Sequence, residues 1–485
     1  MFEAAELGHR LNKAEFESKL PALRARLLDA QFEMRGRNSS VIVIVSGADG
    51  AGKGELVQRL NEWLDPRGVE THAFWDESDE ERERPAYWRF WRAMPARGRI
   101  GIFFGSWFTA PIIRRVQGKI KRRRFEAELE RIAAFEKMLA ADGVVIVKFW
   151  LHLSRKEQRR ALERLEKMNR ATPADWKHFR LYKKFKSVSE QAVRATNSRV
   201  APWHVIDATD RRCREFTVGS ILLKTLKESL KTKPAAKSVP VQKHAVKPAD
   251  SILDHVDLKQ KLTDKEYRKS LETLQARLGK LAWAARAKKR SLVMVFEGWD
   301  AAGKGSAIRR VTGAMDPRLY CVVGIAAPTD EERARHYLWR FWRHLPRAGR
   351  MTIFDRSWYG RVLVERVEGF ARPQDWDRAY QEINEFEEQL TEGGNIVAKF
   401  WVHIGADEQL RRFKERQTIA HKRYKITEED WRNRNKWDDY KLAVDEMVAR
   451  CSTTAAPWTL VAGNDKKFAR IQILKTIVER LEESL

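Results

Sequence analysis

Short apolar runs recur along the chain, and each is followed by a segment with helical spacing. Two of these runs are VIVIVSG, beginning at Val41, and LVMVFEG, beginning at Leu292. Both are continuous rather than alternating, which is typical of a strand buried on both faces of a parallel sheet. The pattern therefore predicts an α/β fold in which each parallel sheet is flanked by helices.

The chain repeats itself. Lys53 and Lys304 stand in matching motifs 251 positions apart, and the same offset relates the WRFWR segments at Trp88 and Trp339. Beyond a second pair of strands the offset grows to 255, since Trp176 matches Trp431. We infer two tandem domains, 1–230 and 251–485. The Lys- and Pro-rich segment 231–250 is interpreted as an extended linker.

Composition limits the class of protein. Of 485 residues, 43% are hydrophobic and 33% charged, which excludes a disordered or fibrous chain. No apolar run approaches the length of a membrane span, and the first residues lack the basic start and apolar stretch of a signal peptide. We therefore expect a soluble, cytoplasmic protein with no membrane partner.

The formal charge of +27 indicates a polyanionic partner. Nucleic acid is the usual partner for such a charge, but a polyphosphorylated substrate experiences the same field. Charge alone does not choose between these two classes of ligand.

The segment GWDAAGKG lies between a predicted strand and a predicted helix, as a phosphate-binding loop requires. Its glycines Gly298, Gly303 and Gly305 allow the backbone to wrap an anion, and Lys304 is expected to reach the outer phosphates. An equivalent loop spans 47–54. The alternative, a tight turn with an exposed lysine, fits one occurrence better than two.

The residue after the loop lysine is usually Ser or Thr, which holds Mg²⁺, but here it is Gly305. Asp300 inside the loop and Asp355 at the end of the strand MTIFD are the candidate metal ligands, and Mg²⁺ is the expected cofactor. Arg356 is expected to neutralise charge on the transferred phosphoryl group. The alternatives are a helix-capping role for Asp300 and a surface Asp–Arg pair.

The N-terminal repeat lacks part of this set. Phe104 stands at the position of Asp355, and Gly105 stands at the position of Arg356. We therefore predict that the N-terminal domain is catalytically impaired.

Two further basic segments are candidate phosphate contacts. A cationic helical run is interpreted as a lid that closes over phosphates, although a solvated helix face is an equal alternative for any single residue. Its candidate residues are Lys422, Arg423, Lys425, Arg432, Arg434 and Lys436. In WRFWR, helical spacing favours buried tryptophans with Arg340 and Arg343 directed toward phosphate, over tryptophans that stack on bases.

Taken together, GWDAAGKG, WRFWRHLPRAGR, IFDRSWYGRVLVERV, KFWVH and KRYKITEEDWRNRNKWDDY closely resemble the polyphosphate kinase 2 family. The resemblance covers essentially the whole C-terminal half and, with the departures above, the N-terminal half. It implies two P-loop kinase-like domains with helical lids. The fused arrangement is similar to the class that transfers phosphate from inorganic polyphosphate to AMP, with Mg²⁺. Family roles then fall on Asp300, Lys304, Asp355 and Arg356, and on Arg432 in the lid.

Four functions stay open at this stage. The first is Mg²⁺-dependent phosphoryl transfer from polyphosphate to AMP, forming ADP, in the C-terminal domain. The second uses ADP or GDP as the acceptor. The third is a basic P-loop protein that binds nucleic acid, which we favour less because the acid and the lid are altered together in one half. The fourth, also favoured less, is an ATP-dependent small-molecule kinase that would not require polyphosphate. The sequence leaves homo-oligomerisation open.

Overall fold

A computed structural model describes residues 1–231, 251–419, 426 and 428–485. The predicted linker residues 232–250 and the lid residues Lys422, Arg423 and Lys425 lie outside these ranges. The described residues fold around two parallel five-stranded sheets, one in each half of the chain. The predicted α/β class is confirmed.

The strands of the two halves correspond one to one. Those of the N-terminal half are β1 (Ser40–Gly47), β2 (Val69–Ala73), β3 (Ile100–Phe104), β4 (Val144–His152) and β5 (Trp203–Asp207). Those of the C-terminal half are β6 (Ser291–Gly298), β7 (Tyr320–Gly324), β8 (Met351–Asp355), β9 (Asn395–His403) and β10 (Trp458–Ala462).

Helices occupy most of the remaining described chain. The N-terminal half contains α1 (Lys13–Met34), α2 (Lys53–Trp63), α3 (Asp79–Arg82), α4 (Trp88–Arg92), α5 (Thr109–Val116), α6 (Arg122–Ala141), α7 (Arg155–Lys167), α8 (Pro173–Arg180), α9 (Tyr182–Thr196) and α10 (Arg211–Lys231). The C-terminal half contains α11 (Asp264–Ala287), α12 (Lys304–Thr312), α13 (Asp330–Arg333), α14 (Trp339–Trp342), α15 (Val364–Val367), α16 (Pro373–Glu392), α17 (Ala406–Thr418), α18 (Glu428–Asn435), α19 (Trp437–Cys451) and α20 (Lys466–Ser484). Short 3₁₀ turns cover Phe2–Ala5, Pro66–Gly68, Ile252–His255, Pro317–Leu319 and Trp358–Arg361.

The strand order brings the sequence motifs to one edge of each sheet. The orders are β2-β3-β1-β4-β5 and β7-β8-β6-β9-β10, and all pairs are parallel. In the second sheet, Phe296 of β6 pairs with Asp355 of β8. The loop after β6 and the residues after β8 therefore meet at the carboxyl edge, where α/β sheets bind ligands.

The central strands are buried because helices cover both faces of each sheet. Val41, Val43, Leu292 and Val295 have no exposed surface. Their β-branched and apolar side chains fill the layers above and below the sheet, as the continuous apolar runs predict. Among the described residues, no helix combines the length and apolarity needed to span a bilayer.

The described chain divides into two compact units. The first contains residues 1–77, 89–231 and 329–336, and the second contains residues 78–88, 251–328 and 337–485, within the described ranges. Each unit thus takes one short segment from the other half of the sequence. The residues of the two candidate sites described below fall within a single unit each.

Candidate functional site

The Gly298–Gly305 loop joins β6 to α12, as the sequence predicts. Gly298 has a φ of +143° and Gly303 a φ of +114°, in the region that favours glycine. The Lys304 ammonium donates hydrogen bonds to the carbonyl oxygens of Gly298, at 2.6 Å, and Trp299, at 3.2 Å. The lysine therefore lies folded over its own loop, next to the N-terminus of α12, where an anion is favoured.

Replacing Gly298 by alanine is expected to destabilise the C-terminal half. A Cβ atom there would stand 2.4 Å from the carbonyl oxygen of Val402 on the neighbouring strand, with the backbone at a positive φ. We expect a loss of about 2–4 kcal/mol, measured by thermal unfolding. Gly305→Ala is the matched control, because its Cβ would meet nothing within 4 Å. Equal losses in the two variants would contradict this account.

Asp300 lies in the middle of the loop, between a cation and an amide. Its Oδ1 accepts from Arg356 Nη2 at 3.3 Å, and its Oδ2 accepts from Asn433 Nδ2 at 3.0 Å. Asp300 and Arg356 come from motifs 56 positions apart, and the strand register brings them together. The alternative of an isolated capping aspartate does not describe this arrangement, because both of its oxygens face partners from other segments.

Asp355 ends β8, and the next residue, Arg356, has a positive φ of +64°. Such a conformation costs a non-glycine residue about 1–2 kcal/mol. Two contacts to β6 hold it in place: Arg356 N donates to Phe296 O at 3.0 Å, and Ser357 Oγ donates to Glu297 Oε1 at 2.8 Å. Glu297 is buried, and burial raises the pKa of its carboxyl group. The positive charge of Lys304 acts in the other direction but is the smaller effect. Glu297 therefore anchors the turn that presents Asp355 and Arg356.

The donor set fits a magnesium ion bound together with phosphates. The side chain of Asp355 is partly exposed and forms no ion pair or hydrogen bond with any described residue, so its charge is left for a cation. Asp300 lies at the same edge of the sheet. Mg²⁺ typically takes one or two carboxylates and fills its remaining positions with water and substrate phosphates. No cluster of three or more His, Cys, Asp or Glu residues suited to a metal occurs in the described parts of the chain.

The lid candidates that are described have protein partners. Arg432 Nε forms an ion pair with Glu368 at 2.9 Å, and Lys436 binds the same carboxylate at 3.1 Å. Arg434 donates to Gln409 Oε1 at 3.0 Å. Arg432 is about half exposed, and its neighbour Asn433 is the α18 residue that contacts Asp300.

The WRFWR segment buries its tryptophans, as the helical spacing predicts. Trp339 and Trp342 are 4% and 1% exposed. Arg340 donates to the carbonyl oxygen of Ala326, just after β7, at 3.1 Å, and Arg343 lies over the Trp339 ring. Arg340 thus reaches the carboxyl end of its sheet, where phosphates are expected.

Two contacts hold the loop, and one of them comes from a residue outside every sequence motif. Arg412 of α17 is buried and donates to the carbonyl oxygens of Ala301, at 3.0 Å, and Ala302, at 2.8 Å. Trp299 stacks on Trp437 at 3.7 Å with the rings nearly parallel. Arg412 stands in a segment rich in charged residues, so no sequence signal distinguished it from exposed neighbours such as Arg411.

The N-terminal half builds a different site from the same elements. Where Asp355 and Arg356 stand in the C-terminal half, Phe104 lines a largely apolar cavity of about 160 Å³ and Gly105 adopts the positive φ, +79°, without strain. Phe74, Phe108 and Ile112 also line this cavity. A site with these walls offers no second carboxylate for a metal.

The loop acid of the N-terminal half is paired within its own site. Asp49 accepts from Lys53 Nζ at 3.3 Å and lies 3.0 Å from His178 Nδ1. Burial alone would raise the pKa of Asp49, but the Lys53 charge and the His178 hydrogen bond lower it to about 2. The hydrogen bond to Asp49 raises the pKa of His178. His178 corresponds to Asn433, so one substitution turns an amide contact into an ion pair.

Replacing His178 by asparagine is expected to remove a pH-dependent part of the stability. The ordinary pKa values are 3.8 for Asp49 and 6.5 for His178. The Asp49–His178 pair therefore stabilises the folded protein most between pH 3.8 and pH 6.5. As pH rises through the raised pKa of His178, the proton is lost and the gain disappears; at acid pH it is lost as Asp49 protonates near its lowered pKa. We expect at most about 1 kcal/mol, since His178 is partly exposed. Thermal unfolding of both proteins across pH measures this difference, and a difference that grows in alkali would contradict it.

The chain is similar in sequence and in structure to several known proteins. The family model described as polyphosphate kinase 2 matches residues 10–234 and 261–485. The chain is 52% identical to the polyphosphate:AMP phosphotransferase of Pseudomonas aeruginosa, over 99% of both chains. It is 37% identical to the protein of the same name from Acinetobacter johnsonii, over 94% of this chain and 95% of the relative. A crystal structure of a P. aeruginosa protein described as a polyphosphate kinase 2 superposes with a TM-score of 0.90 at 50% identity, covering 100% of this chain and 99% of that one.

Proposed function

Because this chain belongs to the polyphosphate kinase 2 family, we propose that it transfers the terminal phosphoryl group of inorganic polyphosphate to AMP, forming ADP. Its likeness to relatives named polyphosphate:AMP phosphotransferase extends over the full length of both chains. The observation that carries the proposal is the C-terminal cluster of Lys304, Asp300, Arg356 and Asp355 at one edge of a parallel sheet.

Each residue of this cluster has a role suited to phosphoryl transfer. The Gly298–Gly305 loop and Lys304 would bind the polyphosphate end, with Arg340 at the neighbouring strand end. Asp300 and Asp355 would hold Mg²⁺, which supplies charge neutralisation between donor and acceptor. Arg356 would stabilise the charge of the transferred group, and Asn433 with Arg432 would position α18 beside it. The residues Lys422 and Arg423 are assigned to the lid on sequence alone.

This chemistry needs no general base. The phosphate of AMP is already an anionic nucleophile, so positioning and charge neutralisation account for the catalysis. The described site accordingly presents carboxylates, a lysine and arginines around the loop. The high positive charge of the chain suits a polyphosphate donor without invoking nucleic acid.

We place the activity in the C-terminal half. The N-terminal half retains Lys53 and Asp49 but carries Phe104 in place of the metal-binding acid, and its loop acid is paired with His178. With Phe104 in this position, the N-terminal site cannot bind the metal in the same way. We therefore propose that this half is catalytically impaired.

The test is product formation from Mg²⁺, polyphosphate and one nucleotide at a time, with AMP, GMP, ADP and GDP compared. We expect ADP from AMP, abolished by Lys304→Ala and largely kept by its matched control Lys53→Ala. If ATP forms from ADP and no product forms from AMP, the acceptor is ADP and not AMP. An absence of product with every nucleotide would overturn the proposal.

A further inference from the structure

A concentration of exposed cations marks the turn between α5 and α6 in the N-terminal half. Five lie in the six residues 119–124, and Lys184 of α9 extends them: its Nζ is 3.9 Å from the position a Cβ would take on Gly118. Helix α9 packs against both α5 and α6. We call this set the α5–α6 cluster, defined as Lys119, Lys121, Arg122, Arg123, Arg124 and Lys184.

Most of this charge is not balanced by acids. Arg122 pairs with Glu126 at 2.7 Å and Arg124 with Glu128 at 3.1 Å. Lys119, Lys121, Arg123 and Lys184 form no ion pair with any residue in the described ranges. Six cations against two acids leave four positive charges on one exposed surface.

The position of the cluster is unfavourable for the helix itself. Helix α6 begins at Arg122 with Lys121 as its N-cap, no side chain caps it, and no acid occupies its first turn. Cations at the positive end of a helix dipole are each unfavourable by about 0.3–1 kcal/mol. The free backbone N–H groups and the side chains would, however, both favour an anion bound there. The arrangement is explained by a ligand more readily than by stability.

The C-terminal half shows that the fold does not require these cations. The matching residues there carry one positive and two negative charges: Phe370, Arg372, Pro373, Gln374, Asp375 and Asp439. Helix α16 starts with Pro373 and has Asp375 in its first turn, the ordinary stabilising choice. The basic surface is therefore a property of the N-terminal half alone.

We propose that the α5–α6 cluster is an accessory binding surface for long-chain inorganic polyphosphate. The inference rests on the proposed function, in which the C-terminal site consumes the end of such a chain. A repeating anion without bases fits the cluster. Of the two aromatic residues that adjoin it in the chain, Phe125 is fully buried and Phe185 is half-buried with its ring against Trp150, so the cluster lacks an exposed ring on which a base could stack. By holding a distant part of the donor, the surface raises the effective concentration of its end. The impaired half would thus serve substrate capture.

The test uses three substitutions at cations that have no ion pair: Lys119→Gln, Lys121→Gln and Arg123→Gln. The control protein carries the same charge change at exposed cations that form no ion pair with described residues: Arg26→Gln, Arg199→Gln and Lys227→Gln. In the full chain, KM is measured for long-chain polyphosphate and for tetraphosphate with AMP, and equilibrium binding of the long chain is measured without AMP.

We expect the cluster variant to raise KM and Kd for the long chain about tenfold, with KM for tetraphosphate, and kcat, unchanged. The slope of log Kd against log salt concentration should fall by about 2, because the variant lacks three cations and each cation that binds the chain displaces about 0.7 counterions. The control protein should behave as the wild type.

Equal long-chain binding in the wild type and the cluster variant would overturn the inference. So would loss of binding to single-stranded RNA with unchanged binding of polyphosphate, which would make the cluster a nucleic-acid surface. Failure of the proposed function is a separate result: the wild type would form no nucleotide product, while the binding measurement without AMP still tests the cluster.

Discussion

Asp355→Asn is expected to lower the turnover of AMP with polyphosphate by about 10²–10³-fold, because it removes a charge that holds the metal at the transferring phosphoryl group. Asparagine has the same shape, and the carboxylate forms no hydrogen bond with a described residue, so the melting temperature should not change. The concentration of Mg²⁺ that gives half-maximal activity should rise. Initial rates across Mg²⁺ concentration measure both effects.

The matched pair Asp300→Asn and Asp49→Asn locates the activity. Both residues occupy the same place in their loops, but Asp300 faces Arg356 and Asn433, whereas Asp49 is paired with Lys53 and His178. We expect a loss like that of Asp355→Asn for Asp300→Asn, and less than about threefold for Asp49→Asn. Equal losses would place catalysis in both halves. Full activity in Asp355→Asn would rule out its assignment as a metal ligand.

Lys399→Met is expected to destabilise the C-terminal half by about 3–5 kcal/mol, since it leaves a buried carboxylate without its cation. The Lys399 ammonium has no exposed surface and donates to Glu387, the Tyr359 hydroxyl and the carbonyl oxygen of Cys451, each at 2.7 Å. Tyr359 follows the proposed metal ligand Asp355 closely in the chain. Loss of the Lys399 contact to Tyr359 should therefore lower the activity as well as the stability. Denaturant unfolding followed by circular dichroism measures the loss.

Two further variants test whether the loss of stability is specific to the buried Lys399–Glu387 pair. The double variant Lys399→Met/Glu387→Gln should recover part of the stability, because no uncompensated charge remains. Lys441→Met breaks the more exposed pair with Asp254, 2.7 Å long, and should cost no more than about 1 kcal/mol. A Lys399→Met protein as stable as Lys441→Met would contradict the importance of the buried pair.

The elements that sequence analysis predicted best are those in which local pattern and tertiary position agree. The runs after Val41 and Leu292 are buried strands because an apolar stretch of that length fits only the centre of a covered sheet. Gly298 adopts the positive φ that its motif requires. Duplication strengthened both predictions, since each motif occurs twice in the same order.

Other contacts depend on residues that no local pattern singles out. Arg412 looks like any charged residue of a surface helix, yet it lies buried against the phosphate loop, while its counterpart in the N-terminal half is Ala161 and Arg214 holds that loop from α10. Arg432 was the lid arginine chosen from the sequence, and it binds Glu368 while Asn433 contacts Asp300. On a helix, one residue of displacement turns a side chain by about 100°.

The sequence by itself determined the repeat, the α/β class, the family resemblance and the loss of Asp and Arg at Phe104 and Gly105, because motif order and residue identity are properties of the chain. Only the tertiary structure decided which groups meet Asp300, that Glu297 anchors the turn at Arg356, and that Phe104 lines a cavity. These contacts join residues from different strands and helices. Their geometry follows from strand register and helix packing, which become fixed only when the whole sheet has formed.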